Sequence, residues 1–215
     1  MPVRRQAMRQ SDRLFKLTWW LAGIVVAIYC LLSFFFWSLM DIVTPFAGPF
    51  LWLLVLALAI GAVVIAIILP FRRWKTHRMA SLLPLGFLVT CFIITHFIDF
   101  TALWLAANFR FRHAERTHVV RLIAKGELRP NVSHNASLIA LPREFASVSL
   151  GGGEALIQRD GDKFKILFFT FRGVLESFAG FVYTSDGSAP KNGDFAAEFF
   201  ITRKVQDGWY YVSAR

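Results

Sequence analysis

Thiols are scarce in this sequence: Cys30 and Cys91 are the only two in 215 residues. Both fall inside apolar runs, so the polar part of the chain can form neither a disulfide nor a cysteine metal site. Charge is scarce too. Only 18% of residues are charged against 56% hydrophobic, a balance richer in apolar groups than a soluble domain of this length. Signatures of catalysis are missing as well. Gly151-Gly152-Gly153-Glu154 is followed by a strand pattern without Lys and Ser or Thr, whereas a phosphate loop must open a helix, so a flexible turn is expected. No HExxH pattern occurs. His113 and His118 stand five apart, which on a helix turns them away from each other, and together with His134 they are expected to hold no metal. No nucleophile elbow supports a Ser-His-Asp order, and Asp186 and Asp194 read as loop residues. The expectation is therefore a protein that is not an enzyme, with no catalytic residue and no cofactor.

What the sequence does have is three long apolar runs, at 17–40, 50–69 and 82–107. A helix needs roughly 20 apolar residues to cross a hydrocarbon core of about 30 Å, and each run is long enough. Ser11-Asp12 precedes the first run as a candidate helix cap, Pro49 and Pro70 bracket the second, and Pro84 lies in the first turn of the third, where proline does little harm. The first run exceeds a signal-peptide core, and Phe34-Phe35-Phe36-Trp37 is a poor approach to a cleavage site, so it reads as a retained anchor.

The net charge of +10 would suggest nucleic acid if the basic residues lined one soluble face, but their placement reads as membrane topology instead. Arg4, Arg5, Arg9, Arg13 and Lys16 precede the first run, Arg72, Arg73, Lys75 and Arg78 separate the second from the third, and the 41–49 connection has none. Basic flanks stay in the cytoplasm. The N-terminal segment 1–16 is thus expected inside, 17–108 in the membrane and 109–215 exported, in a bacterial inner membrane. Trp19, Trp20 and Trp74 mark one interface and Trp37, Trp52 and Trp104 the other. Small residues four apart, Gly23/Ala27, Ala57/Gly61 and Ala62/Ala66, let helices approach closely, either within the bundle or between copies in a homo-oligomer.

His96 and Asp99 are three apart inside the third run, which would put both on one helix face at membrane depth. Two readings follow. They form a proton-responsive element, or Asp99 sits at the outer headgroup level and His96 bonds another helix.

Beyond the third run a helix is expected over 111–125, with Phe111, Ala114, Val119, Leu122 and Ile123 as its apolar positions and Gly126 as its stop. Its Arg110, Arg112 and Arg116 are candidates for contact with lipid headgroups. Strands are expected at 155–159, 163–171, 177–184, 195–206 and 209–213, and the Asp-Gly steps at 160–161 and 207–208 signal hairpins. The fold class is a membrane α-helical part with three transmembrane helices plus a small α+β domain carrying an antiparallel meander sheet. In the 163–171 strand, Phe164, Ile166 and Phe168 point to one face and Leu167, Phe169 and Phe171 to the other. One helix covers one face. The other needs the 127–150 segment, a second copy, a partner or the membrane surface.

The function expected from all this is a membrane protein whose exported domain binds an envelope partner, as assembly, regulatory or immunity proteins do. The alternative is a small transport or proton-sensing subunit working through His96 and Asp99.

Overall fold

The computed structural model describes residues 2–43, 48–73, 82–173 and 177–214. Trp74, Lys75 and Arg78 lie outside the described residues. The chain forms two compact units, Met1–Phe36 with Phe46–Trp104, and Trp37–Pro45 with Leu105–Arg215.

The first unit is helical. Helix α1 (Pro2–Val43) runs straight through Ser11 and Asp12, which therefore do not cap its start. Helix α2 spans Gly48–Arg73 and α3 spans Leu83–Phe97. Among the described residues two helices are long and apolar enough to cross a membrane, or three if α3 and the helix after it count as one span. The chain is thus a membrane protein. Its large apolar side chains are mostly exposed, Trp20, Phe50 and Phe92 among them, as lipid-facing helices require. Where helices do meet, small residues allow it: Ala22, Val25, Ala62, Ala66 and Leu88 form the buried cluster. Gly23 and Gly61 have nothing near the position of an added Cβ, so only the Ala62/Ala66 pair of the three small-residue pairs packs within the chain.

The third apolar run is not one helix. It breaks after α3 and resumes as α4 (Phe100–Ala124) with a bend of 60°. Three local features make the break. The Thr95 hydroxyl donates to the carbonyls of Cys91 at 2.8 Å and Phe92 at 3.1 Å, a back-bond that bends helices. Ile98 is extended, with φ −86° and ψ 117°. Asp99 then starts a new helix, its Oδ1 accepting the Ala102 N–H at 2.8 Å, which is the N-cap geometry.

The second unit is a six-stranded antiparallel sheet with α4 on one face. Its strands are β1 (Leu138–Ala140), β2 (Glu154–Asp160), β3 (Lys163–Arg172), β4 (Phe178–Thr184), β5 (Phe199–Gln206) and β6 (Trp209–Ala214), ordered β1-β2-β3-β4-β6-β5. Turns at Gly161 and Gly208, with φ of 58° and 73°, join β2 to β3 and β5 to β6, as the Asp-Gly steps predict. Two corrections to the sequence expectation follow. The short strand β1 is additional, and the sheet is not a simple meander, because β6 inserts between β4 and β5. Composition explains the swap. β6 carries Trp209, Tyr210, Tyr211 and Val212 and can be enclosed on both faces, whereas β5 carries Thr202, Arg203 and Lys204 and belongs at an edge.

Strand β3 is buried on both faces, with Ile166, Leu167, Phe168 and Phe169 at or near zero exposure. On the first face α4 lays down Phe109, Arg116, Val119, Val120 and Ile123 at helical spacing. Phe109 meets Phe181 at 5.0 Å and Trp209 at 5.7 Å between ring centres. Each such aromatic buries enough apolar surface to contribute about 1.5–3 kcal/mol. The helix face differs from the one expected: Phe111 is 83% exposed, because the buried Arg116 takes a place in the stripe that faces the sheet. On the second face Leu138, Leu167, Phe169, Val182 and Val212 form a cluster. Val132, from the 127–150 segment, covers part of it, and Phe195 and Phe199 cover more.

Candidate functional site

The cover on the second face is incomplete. Between Phe195 and the strands lies a pocket of about 370 Å³, floored by Leu138, Leu156, Phe169 and Phe178 and rimmed by Asn135, Arg172 and Ser177. Its size falls within the usual range for ligand pockets, and an apolar floor with a few polar groups at the mouth is their usual chemistry. The Arg172 guanidinium lies over the Phe169 ring at 5.2 Å from its centre and pairs with Glu154, so the rim is polar without an excess of either charge.

One wall of the pocket is built from strained backbone. Phe195 and Ala196, with φ of 57° and 56°, are both left-handed, a conformation that costs a non-glycine residue about 1–3 kcal/mol and persists only where its surroundings impose it. The surroundings do so here. Asp194 is buried and takes the Lys165 ammonium at 2.5 Å and the Lys191 N–H at 2.7 Å on one carboxylate oxygen. Gln158, on β2, accepts the Phe195 N–H at 2.6 Å. The Gly193 N–H closes the turn onto the Ala197 carbonyl at 2.9 Å. Asp194 is thus an anchor for the pocket wall and not the plain loop residue its Gly-Pro-Asn-rich surroundings suggest. The 185–194 connection as a whole is held rather than loose. Hydrogen bonds from the Ser188 side chain and backbone, then from Lys163, hold the Asp186 carboxyl well below the usual carboxylate range, and the Tyr210 hydroxyl donates to the Gly187 carbonyl at 2.6 Å.

The residues singled out from sequence fall elsewhere. Asp99 caps α4 and is exposed, and His96 is exposed with its ring edge-on to Phe97 at 5.6 Å. The helix break between them removes the continuous face that their spacing predicts. A cavity of about 450 Å³ among α1, α2 and α3 is lined by Val25, Tyr29, Val55, Cys91 and Thr95 with other apolar groups, and neither His96 nor Asp99 is among them. Of the three arginines, Arg110 is exposed and Arg112 pairs with Glu115 at 2.9 Å. Arg116 cannot touch lipid: it is 1% exposed, donating from Nε to the Val148 carbonyl at 2.9 Å and stacking on Phe181 at 4.8 Å. Burial, followed by the neighbouring Arg112 and opposed by Glu115, lowers its guanidinium to about 9, which leaves it charged at neutral pH. His113 packs on Trp209 and His118 on Phe145, and the described residues contain no cluster that could hold a metal ion.

The pocket is not legible from spacing, since its parts come from five separated places in the chain; the one signal is the two-faced apolar pattern of β3. Gly151, Gly152 and Gly153 all have positive φ and form a tight turn into β2, and a Cβ on Gly153 would strike Ala146. No family model, no curated protein and no solved structure matches the chain.

Proposed function

We propose that the chain is a non-enzymatic protein of a bacterial inner membrane, with a cytoplasmic N-terminus and three spans. In this reading its exported C-terminal domain binds a protein partner of the envelope on the second face of the sheet, in an assembly, regulatory or immunity role. The orientation rests on the basic residues ahead of α1 and after α2. The observation that carries the binding reading is the pocket beside Phe195, where strained backbone is held in place around an apolar floor. Strain kept up by a partly buried ion pair and a partly buried amide is a cost that packing alone does not require.

The test is site-specific photo-crosslinking in cells of the intact protein. A photoreactive residue at Ala196, which lines the pocket, should give one discrete protein adduct that Phe195→Ala removes, while the same probe at Arg121 on the exposed side of α4 gives none. Equal adducts at both positions, or none at Ala196, overturn the reading. A C-terminal alkaline phosphatase fusion that is inactive overturns the orientation.

A further inference from the structure

The two edges of the sheet are finished differently. At β1 the side-chain amide of Asn131 closes the edge: its Nδ2 donates to the Ala140 carbonyl at 3.1 Å, its Oδ1 accepts the Ala140 N–H at 2.7 Å, and its own backbone N–H donates to the Leu138 carbonyl at 3.2 Å. At β5, the other end of the order, Asn192 takes the Phe199 N–H at 2.9 Å, and no strand pairs with the remaining outer edge among the described residues. Two irregularities, at 199/201 and 204/206, flank a regular stretch of β5 in which Ile201, Thr202, Arg203 and Lys204 are all exposed. An edge of this kind offers N–H and C=O groups from every second residue to an added strand.

Charge decides what can add. In an antiparallel pairing of two copies, Arg203 and Lys204 of each would fall on adjacent rungs, and like charges facing across strands are destabilising. Arg203 has no ion pair among the described residues, and its guanidinium lies 5.9 Å from the Tyr211 ring centre. Lys204 has Asp207 at 2.7 Å, but that carboxylate is almost fully exposed and easily displaced. A strand with carboxylates opposite these two cations gains what a second copy loses.

We propose that the outer edge of β5 receives an extended segment of a partner protein bearing acidic side chains, which adds to the sheet as a seventh strand. This rests on the partner-binding reading but names a different surface.

The experiment uses the full chain in phosphatidylcholine nanodiscs and a fluorescein-labelled peptide of eight residues, the length of β5, with two adjacent Glu at its centre, one for each face, flanked by Val and Thr. Saturable binding by anisotropy is expected. It should weaken at least tenfold for the counterpart with Lys in place of both Glu, for a peptide N-methylated on alternate residues, and for an Arg203→Glu/Lys204→Glu variant whose tryptophan fluorescence is unchanged. Binding that survives N-methylation or charge reversal overturns the proposal, as does no binding at all. Tryptic cleavage at Arg203 and Lys204 that is suppressed by phosphatidylglycerol discs alone, without peptide binding, identifies a lipid contact instead and also overturns it. Loss of peptide binding with the Ala196 adduct intact sinks only this proposal; the reverse sinks only the pocket.

Discussion

Arg116 Nη2 holds the side-chain oxygen of Asn108 at 2.6 Å, two turns earlier on α4. Nη1 reaches the Asn108 backbone carbonyl at 3.3 Å and Nε the Val148 carbonyl. A buried cation is thus satisfied by neutral oxygens and an aromatic face rather than by an acid. Removing it strands those acceptors and opens a cavity, so Arg116→Ala should cost about 2–4 kcal/mol. Arg116→Lys should recover only part, because an ammonium cannot reproduce the planar fork. Thermal unfolding in detergent, followed by tryptophan fluorescence, measures both; a midpoint unchanged by Arg116→Ala contradicts the role.

Asp99 separates two functional readings. As an N-cap it tolerates Asn, since the two amino acids cap about equally well, whereas Ala loses about 1 kcal/mol. Asp99→Asn should therefore leave folding and the cellular phenotype intact, and Asp99→Ala should loosen the break between α3 and α4. A phenotype abolished by Asp99→Asn with normal expression would instead support proton chemistry at this position.

Ala62 and Gly61 are neighbours in sequence with opposite surroundings. Ala62→Phe should disrupt the α1–α2–α3 cluster, because overpacking a filled contact costs about 1–3 kcal/mol, while Gly61→Phe meets open space. Protease resistance of the membrane unit in detergent distinguishes them. Should Gly61→Phe alter instead the mass measured by light scattering, the outward small-residue face joins copies.

The turn at Asp186 should respond to acid. Its carboxyl is held below the ordinary value by Ser188 first and Lys163 after, so the folded state binds its proton less readily than the unfolded one. The turn's stabilisation is therefore present above the ordinary carboxylate range and lost as pH falls through and below it. The protection factor of the Ser188 amide, its exchange relative to the intrinsic rate at the same pH, should fall at low pH, and Asp186→Asn should remove that fall. A protection factor that stays flat in the parent protein contradicts it.

Phe195 and Ala196 give the measure of strain. Ala196→Gly, at φ 56°, should relieve the left-handed penalty and offset its own entropy cost, for a net gain of up to about 1 kcal/mol. A loss of stability would mean that the Ala196 methyl packs productively and that the backbone is not strained.

The sequence was most readable where one physical signal acts alone. Apolar length showed the membrane helices, and the Asp-Gly steps located both hairpins, because each is a local property. Arg116 was misread because a buried arginine breaks the very periodicity used to find a helix face. For Asp99 the sequence leaves two readings open, because a capping residue and an intramembrane acid look alike when the run around them is uniformly apolar. The place of β6 between β4 and β5 depends on which strand tolerates enclosure, a comparison between strands that spacing within either one does not make. Asp194 and Gln158 act at a distance in sequence from Phe195, so their joint support of the pocket wall is visible only in three dimensions.

Helix α3 has 15 residues and rises about 22 Å, which is about 8 Å less than an average hydrocarbon core. If α3 and α4 together make the third span, the chain recruits the slanted opening turns of α4 into the bilayer or pulls the two leaflets together around it. Either response would couple this protein to lipid thickness, and a bilayer of longer acyl chains would then act on it as a mechanical load applied at Ile98.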